Sequence, residues 1–472
     1  MLNLNNNPES HVLTKPDLGY LSFTLSFIAT LFLSVIVYFT ISENYITALA
    51  IPGLIILAII FFNPRFAYYL FFLSIAIFAP YKIGLVSIHP FDICMGLLLI
   101  SVAFDYILNV RYQLRPAFFD KQFLFLIFAT FISAVFAYDI SYSIVPLIRV
   151  LLIYLAFRLT FKFSIEIGVR KLIIFYIILV TILSCYNSYL YLISYGEDRV
   201  FGITWLTYET YAMTALPMAT AFFIWGKNKK ERLLYLFSII IIGFGIIATQ
   251  SRAPLLTVMI ALPVLFYFSF KNFAVRKGIH NNFKLKNFIY VFLIFSIAVF
   301  SFHDTIFSGV LERYESFIIS ITDPEGSIAL RLILWSAAWQ AFLLDPITGI
   351  GIGNFKVITE IIPQIQMATL WERVANMSAH NVFLQYLAET GIIGASALLI
   401  LAVKGLKNVL PMIRTQQSNK NLQVSSAIFI AMFIFFITIF YTRDWTWGQG
   451  GYLLAFFFGL TAAQKHNQEP NY

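Results

Sequence analysis

Runs of about twenty apolar residues recur along nearly the whole chain, and they leave few folds open. A helix of that length crosses the hydrocarbon of a bilayer while pairing every backbone group within itself, which an isolated strand or loop cannot do there. The runs fall at 21–40, 46–62, 66–80, 91–108, 121–137, 142–161, 172–194, 207–225, 233–249, 254–270, 287–302, 380–403, 423–441 and 450–464. Of the 472 residues 60% are hydrophobic and 12% charged, where a soluble domain carries about 25% charged residues. The pattern predicts an all-α polytopic membrane protein with about 12–14 transmembrane helices, built as a single integral membrane domain over 1–472.

A net charge of +9 gathered on one face would suit a nucleic-acid partner. Here the cations sit in short clusters between apolar runs, as the positive-inside bias produces, so no nucleic acid is expected. With the N-terminus in the cytoplasm, Arg65 and the basic clusters within 111–121, 162–171, 227–232, 271–286 and 404–420 all fall on the cytoplasmic side. Glu43, Asp139, Glu197, Asp198, Asp304, Glu312, Asp323 and Asp345 fall on the other. The basic clusters are read as topological determinants. Residues 1–20 are too polar to resemble a cleavable signal peptide. Cys94 and Cys185 each lie inside an apolar run, which argues against a disulfide framework or a Cys-based metal site.

Residues 303–379 form the one long hydrophilic interruption, placed by this topology outside the cytoplasm. Within it, RLILWSAAWQAFLL (331–344) and KVITEIIPQIQMATLWERV (356–374) have the mixed faces of helices lying on the membrane or capping the bundle. DPITGIGIGNF (345–355) between them is a turn-rich junction whose glycines permit close backbone approach.

Cations on the outer side run against the charge bias and are candidates for function. Arg252, at an outer junction between two spans, either snorkels to head groups or clamps phosphate with its guanidinium fork. Arg313, Arg331 and Arg373 lie in the large loop, and Arg149 lies within a span near its outer end. Glu209 falls at the outer rim. His380 opens the helix that re-enters the membrane, where an imidazole with a pKa near 6.5 suits proton abstraction. Gly391 and Gly394, deeper on that helix, are small residues of the kind that permit tight helix packing.

His380-Asn381, nine residues, then Gly391-Ile-Ile-Gly394 resembles the signature of the bacterial O-antigen ligase and O-antigen polymerase superfamily. Ser251-Arg252-Ala253 is similar to that family's Ser-Arg-Gly junction, with Ala253 where glycine is commoner. Arg331, Trp335 and the Gly-rich segment through Phe355 also follow the family's order. The resemblance spans residues 200–405. It implies a GT-C-like membrane glycosyltransferase of the bacterial inner membrane, acting on the extracytoplasmic face without metal or other cofactor. Its donor would be a glycan on undecaprenyl diphosphate, and its acceptor a hydroxyl of lipid A-core or another glycan. Carried over by position, His380 would be the general base or position the acceptor, and Arg252 and Arg331 would bind diphosphate. Asn381, Arg149, Glu209, Arg313 and Arg373 are supporting candidates by their own placement in the sequence. A ligase, a polymerase and a protein oligosaccharyltransferase all remain open within the family. A polysaccharide flippase is the alternative from another class; it would carry paired repeats and mid-membrane polar groups.

Overall fold

A computed structural model describes residues 59–76, 81–83, 86–108, 115–194, 208–226, 228–277, 327–361, 377–415, 419–440 and 449–468. The predicted spans 21–40 and 287–302 lie outside these residues, as does most of 46–62. The described chain is helical apart from one short hairpin between helices α1 (Pro64–Ile75) and α2 (Pro90–Leu108). There β1 (Tyr81–Ile83) pairs antiparallel with β2 (Val86–Ile88), in the register Tyr81 to Ile88 and Ile83 to Val86. The β-branched Ile83, Val86 and Ile88 favour this extended pairing over one more helical turn.

By internal contacts the chain falls into two units, Met1–Ala67 with Gly96–Tyr112, and Tyr68–Met95 with Gln113–Tyr472. In the first, Ser101 donates to the Ile60 carbonyl at 2.6 Å, and Phe61 meets Phe104 edge-on at 6.4 Å. The second holds the candidate site.

In this second unit α3 (Asp120–Val135) is followed by α4 (Ile140–Phe163) and α5 (Val169–Ile193). Together α4 and α5 form a 54-residue apolar stretch, Ile140–Ile193. An unbroken helix of that length would run about 80 Å, far beyond the roughly 30 Å of a hydrocarbon core. The π-turn Ser164–Gly168 ends α4, and Gly168, at φ 102, interrupts the helix and leaves two pieces of membrane length. Then follow α6 (Tyr208–Ile224), α7 (Lys229–Ala248), α8 (Arg252–Lys277) and α9 (Ser327–Leu344). Beyond a short α10 (Ile358–Ile361) come α11 (Val382–Thr415), α12 (Asn419–Thr438) and α13 (Gln449–Gln468). Helix α4 packs between α13 and α3, α6 between α7 and α12, and α11 against α12, α3 and α9. The segment 331–344 is part of a helix packed on α11.

Among the described residues, Pro90–Ile107, Ile140–Ile193, Lys229–Ala248, Val382–Leu410 and Asn421–Thr438 are long and apolar enough to cross a bilayer. Their outward faces are apolar as well: Ile144 is 52% exposed, Ile182 62%, Leu233 67% and Ile240 60%. Water would penalise such a surface, and lipid does not. Lipid gives helices little hydrophobic reason to associate, so close packing and buried hydrogen bonds must hold them together. The Tyr68 hydroxyl donates to Thr160 Oγ1 at 3.1 Å, Tyr176 to the Tyr211 carbonyl at 3.1 Å, and Tyr208 to Ser184 Oγ at 2.6 Å. Gln423 Nε2 donates to the Phe222 carbonyl at 3.1 Å, joining α12 to α6.

Candidate functional site

Helix α11 is not continuous. Gly391 has φ 59 and ψ −163, which takes it out of the helical region in the middle of an apolar segment. The peptide groups released by that break are taken up by the Gly-rich junction 345–355. Ile350 N–H donates to the Ala388 carbonyl at 3.0 Å, and Gly351 N–H to the Glu389 carbonyl at 2.9 Å. Ser133 Oγ, from α3, donates to the same Glu389 oxygen at 2.7 Å. Ile392 N–H in turn donates to the Pro346 carbonyl at 2.9 Å. Backbones this near tolerate no side chain between them. A Cβ on Gly349 would run into the backbone of Glu389 and Thr390, and one on Gly391 into the Ile347 carbonyl. A Cβ on Gly394 would meet only the Thr390 side chain of its own helix.

Two polar residues hold the junction's shape. Asn354 Nδ2 donates to the Asp139 carbonyl at 3.1 Å and to Ser143 Oγ at 3.0 Å, while its Oδ1 accepts from Asp139 N–H at 2.8 Å. Asp345 closes the turn after α9, accepting from the Thr348 hydroxyl at 2.8 Å and from Thr348 N–H at 3.1 Å. Partial burial raises the Asp345 pKa, but the Thr348 hydroxyl and the amides of Thr348, Ile347 and Gly349 outweigh it and hold the carboxyl below its usual value. A carboxylate with a depressed folded pKa stabilises at pH values above the unfolded pKa of about 3.9, and this is lost as pH falls through the folded value. Protection of the 345–355 amides, relative to the intrinsic exchange rate at each pH, is therefore expected to fall below about pH 4, with Asp345→Asn removing that acid sensitivity.

His380 stands two residues before α11 with φ 52, in the left-handed region that non-glycine residues enter at a cost. Hydrogen bonds on either side impose it. Ala379 N–H donates to Gln385 Oε1 at 3.1 Å, and the Ala379 carbonyl accepts from Trp335 Nε1 at 3.0 Å. Asn381 Oδ1 caps the new helix by accepting from Leu384 N–H at 3.0 Å. Gln385 Nε2 passes the connection inward to Glu389 Oε1 at 3.2 Å, and that oxygen also accepts from Phe355 N–H at 3.2 Å. A relay thus runs from the Gly-rich junction through Glu389 and Gln385 to the residue before the histidine. Gln385→Leu, which cuts it, is expected to lower kcat on the order of tenfold with little change in KM, as measured on purified protein.

Arg331 is exposed on α9, one turn before Trp335 and on the same helical face, a spacing that sets side-chain roots about 5–6 Å apart. Trp335 therefore brings the arginine's face of α9 to the histidine's backbone. The backbone of Arg252 heads α8, which packs on α6 and α12 and touches α11. Arg149 is buried at 6% exposure on α4 and acts electrostatically on His89 and Tyr452. Burial first, and then that arginine's charge, hold the His89 imidazole below its ordinary pKa, with Asp92 opposing. Glu209 lies in the first turn of α6. Arg313 and Arg373 lie outside the described residues. Glu389, Gln385, Asn354 and Ser133 were missed from sequence. A carboxylate inside the predicted span 380–403 was the available signal, since such groups are rarely kept in membrane helices without a task.

The apolar outer faces, the broken helix α11 and the polar junction braced against it mark an integral membrane protein. Residues 236–399 match the family described as O-antigen ligase, with Arg252, Arg331, His380, Gly391 and Gly394 all inside the match. No curated protein matches the chain.

Proposed function

We propose that this protein is a glycosyltransferase of the O-antigen ligase type, moving a glycan from undecaprenyl diphosphate to an acceptor hydroxyl on the extracytoplasmic face of the bacterial inner membrane. One observation carries the reading. A histidine in strained backbone is fixed at a helix start by Trp335, one turn along from Arg331. Such strain persists where the surroundings impose it, and functional sites are where it collects.

In the reaction, an acceptor oxygen attacks the anomeric carbon while His380 takes its proton. The bond from that carbon to the diphosphate oxygen breaks, and undecaprenyl diphosphate leaves with the electron pair. Arg331 and Arg252 stabilise the negative charge that gathers on it, a task for which guanidinium is suited by its fixed charge and paired donors. A single displacement inverts the anomeric centre and needs no enzyme nucleophile. The proposed sidedness rests on the charge bias, which sends 303–379 and the start of α11 away from the cytoplasm.

Deleting the gene in its native cell and analysing the surface glycan tests this. Long chains stranded on the lipid carrier are the expected result. Single repeat units on a finished acceptor would instead identify a polymerase, and an unchanged glycan would sink the assignment. With purified protein, Arg331→Ala is expected to cut turnover about a hundredfold, with Arg331→Lys restoring only part of it.

A further inference from the structure

Helix α9 and the start of α11 run side by side in the same sense. Midway along α9, Trp335 Nε1 donates to the Ala379 carbonyl at 3.0 Å, and just past its end the Pro346 carbonyl accepts from Ile392 N–H at 2.9 Å. Leu334, Ala337, Ala338 and Ala341 bury one face of α9 in a core shared with Ala379 and Ala388. Since α11 carries the chain into the apolar stretch Val382–Leu410, α9 descends into the hydrocarbon beside it. Arg331 therefore stands at the His380 end of this pair, and Pro346 at the level of the break near Gly391.

A second face of α9 points outward. Arg331, Trp335, Trp339 and Leu343 recur every fourth residue, which aligns them as one ridge on the helix surface. Arg331 is exposed, Trp335 is half-buried, and Trp339 and Leu343 are 50% and 57% exposed. Phe342 lies against the Trp339 ring, with centroids 5.3 Å apart. Arg331 to Leu343 measures about 18 Å along the axis, slightly more than the roughly 15 Å of hydrocarbon in one leaflet. Bilayer lipid wets any such surface, and lipid tails gain little by exchanging one apolar neighbour for another. This ridge is set apart by what heads it. A guanidinium there is complementary to an anionic headgroup, and the Trp335 bond keeps that headgroup's place next to the His380 backbone.

We propose that this ridge seats the polyprenyl chain of the donor, which runs from a diphosphate on Arg331 over Trp335 and Trp339 to Leu343. The inference rests on the transferase reading, in which such a donor is the substrate. The charged head supplies the affinity. The flat, stiff rings supply the direction, since they lose little freedom on contact. With the chain led downward along α9, the sugar on the far side of the diphosphate is turned out of the hydrocarbon, towards His380.

Photolabelling of the full-length protein in lipid nanodiscs tests it, with an undecaprenyl diphosphate analogue that carries a benzophenone in its chain as the probe. Labelling is expected within 332–347. Unlabelled undecaprenyl diphosphate is expected to compete it away, while undecaprenol and phosphatidylglycerol at the same concentration leave it in place. Arg331→Ala is expected to lower this competable labelling about tenfold. Labelling of 332–347 that phosphatidylglycerol removes equally, or that nothing removes, marks ordinary bilayer contact and overturns the proposal. So does undiminished labelling in Arg331→Ala. Competable labelling confined to other helices refutes the ridge while the donor assignment stands. No competable labelling anywhere on the wild-type protein would bring down the donor assignment, and the ridge with it.

Discussion

Replacing His380 is expected to lower glycan transfer by about 10² to 10⁴-fold, the range that a positioned general base contributes. The choice of substitute matters, because the residue sits at φ 52. Alanine in that conformation costs on the order of 1–2 kcal/mol, so an inactive His380→Ala protein would leave strain and chemistry confounded. Asparagine enters the left-handed region more readily than most residues, and glycine does so without penalty. His380→Asn and His380→Gly are therefore expected to keep the melting temperature of the parent while losing turnover of an undecaprenyl-diphosphate-linked substrate. A folded His380→Gly protein that still turned over at the parental rate would remove the imidazole from the mechanism.

The largest expected effect on stability belongs to Gly391→Ala. Its dihedral angles, φ 59 with ψ −163, fall where essentially only glycine is found, which alone costs a side chain about 1–3 kcal/mol. The new methyl would also land on the Ile347 carbonyl, part of a backbone held by its own hydrogen bonds. Overpacking of this kind adds about 1–3 kcal/mol, so a total near 3–5 kcal/mol is expected. Gly243→Ala, in α7, is the control. Its methyl would make only an ordinary contact, at 3.5 Å, with a Leu216 methyl, so a loss of about 1 kcal/mol or less is expected. Thermal unfolding in detergent should separate the two by many degrees. Equal melting temperatures would mean that the break at Gly391 is not what the junction rests on.

Much of this was legible in the sequence because lipid imposes a simple rule on length and polarity. The predicted spans 142–161 and 172–194 correspond to α4 and α5, and 233–249 to α7, since each had to reach across the hydrocarbon. The resemblance around His380 and Gly391 was also visible, as was the prediction that 345–355 allows close backbone approach. What that backbone approaches was hidden. Nothing local to Gly351 says that Glu389, far along the chain, offers its carbonyl, and nothing local to Asn354 names Asp139 and Ser143. Such pairings are set by tertiary folding and leave no periodic trace. The hairpin at 81–88 escaped for another reason: three-residue strands carry too little alternation to stand out between apolar runs.

The break in α11 also bears on how bulky amphiphiles could reach this end of the bundle. Ala388, Glu389 and Ile392 have exchanged their intrahelical partners for Ile350, Gly351 and Pro346. Withdrawing the junction would abandon those amides and carbonyls within an apolar segment, at a cost of several kcal/mol for each. The 345–355 crossing thus behaves as a keel, not a hatch. Whatever clearance the polyprenyl chain of the proposed donor demands must come from displacements that carry α9, the junction and the first turns of α11 as one piece.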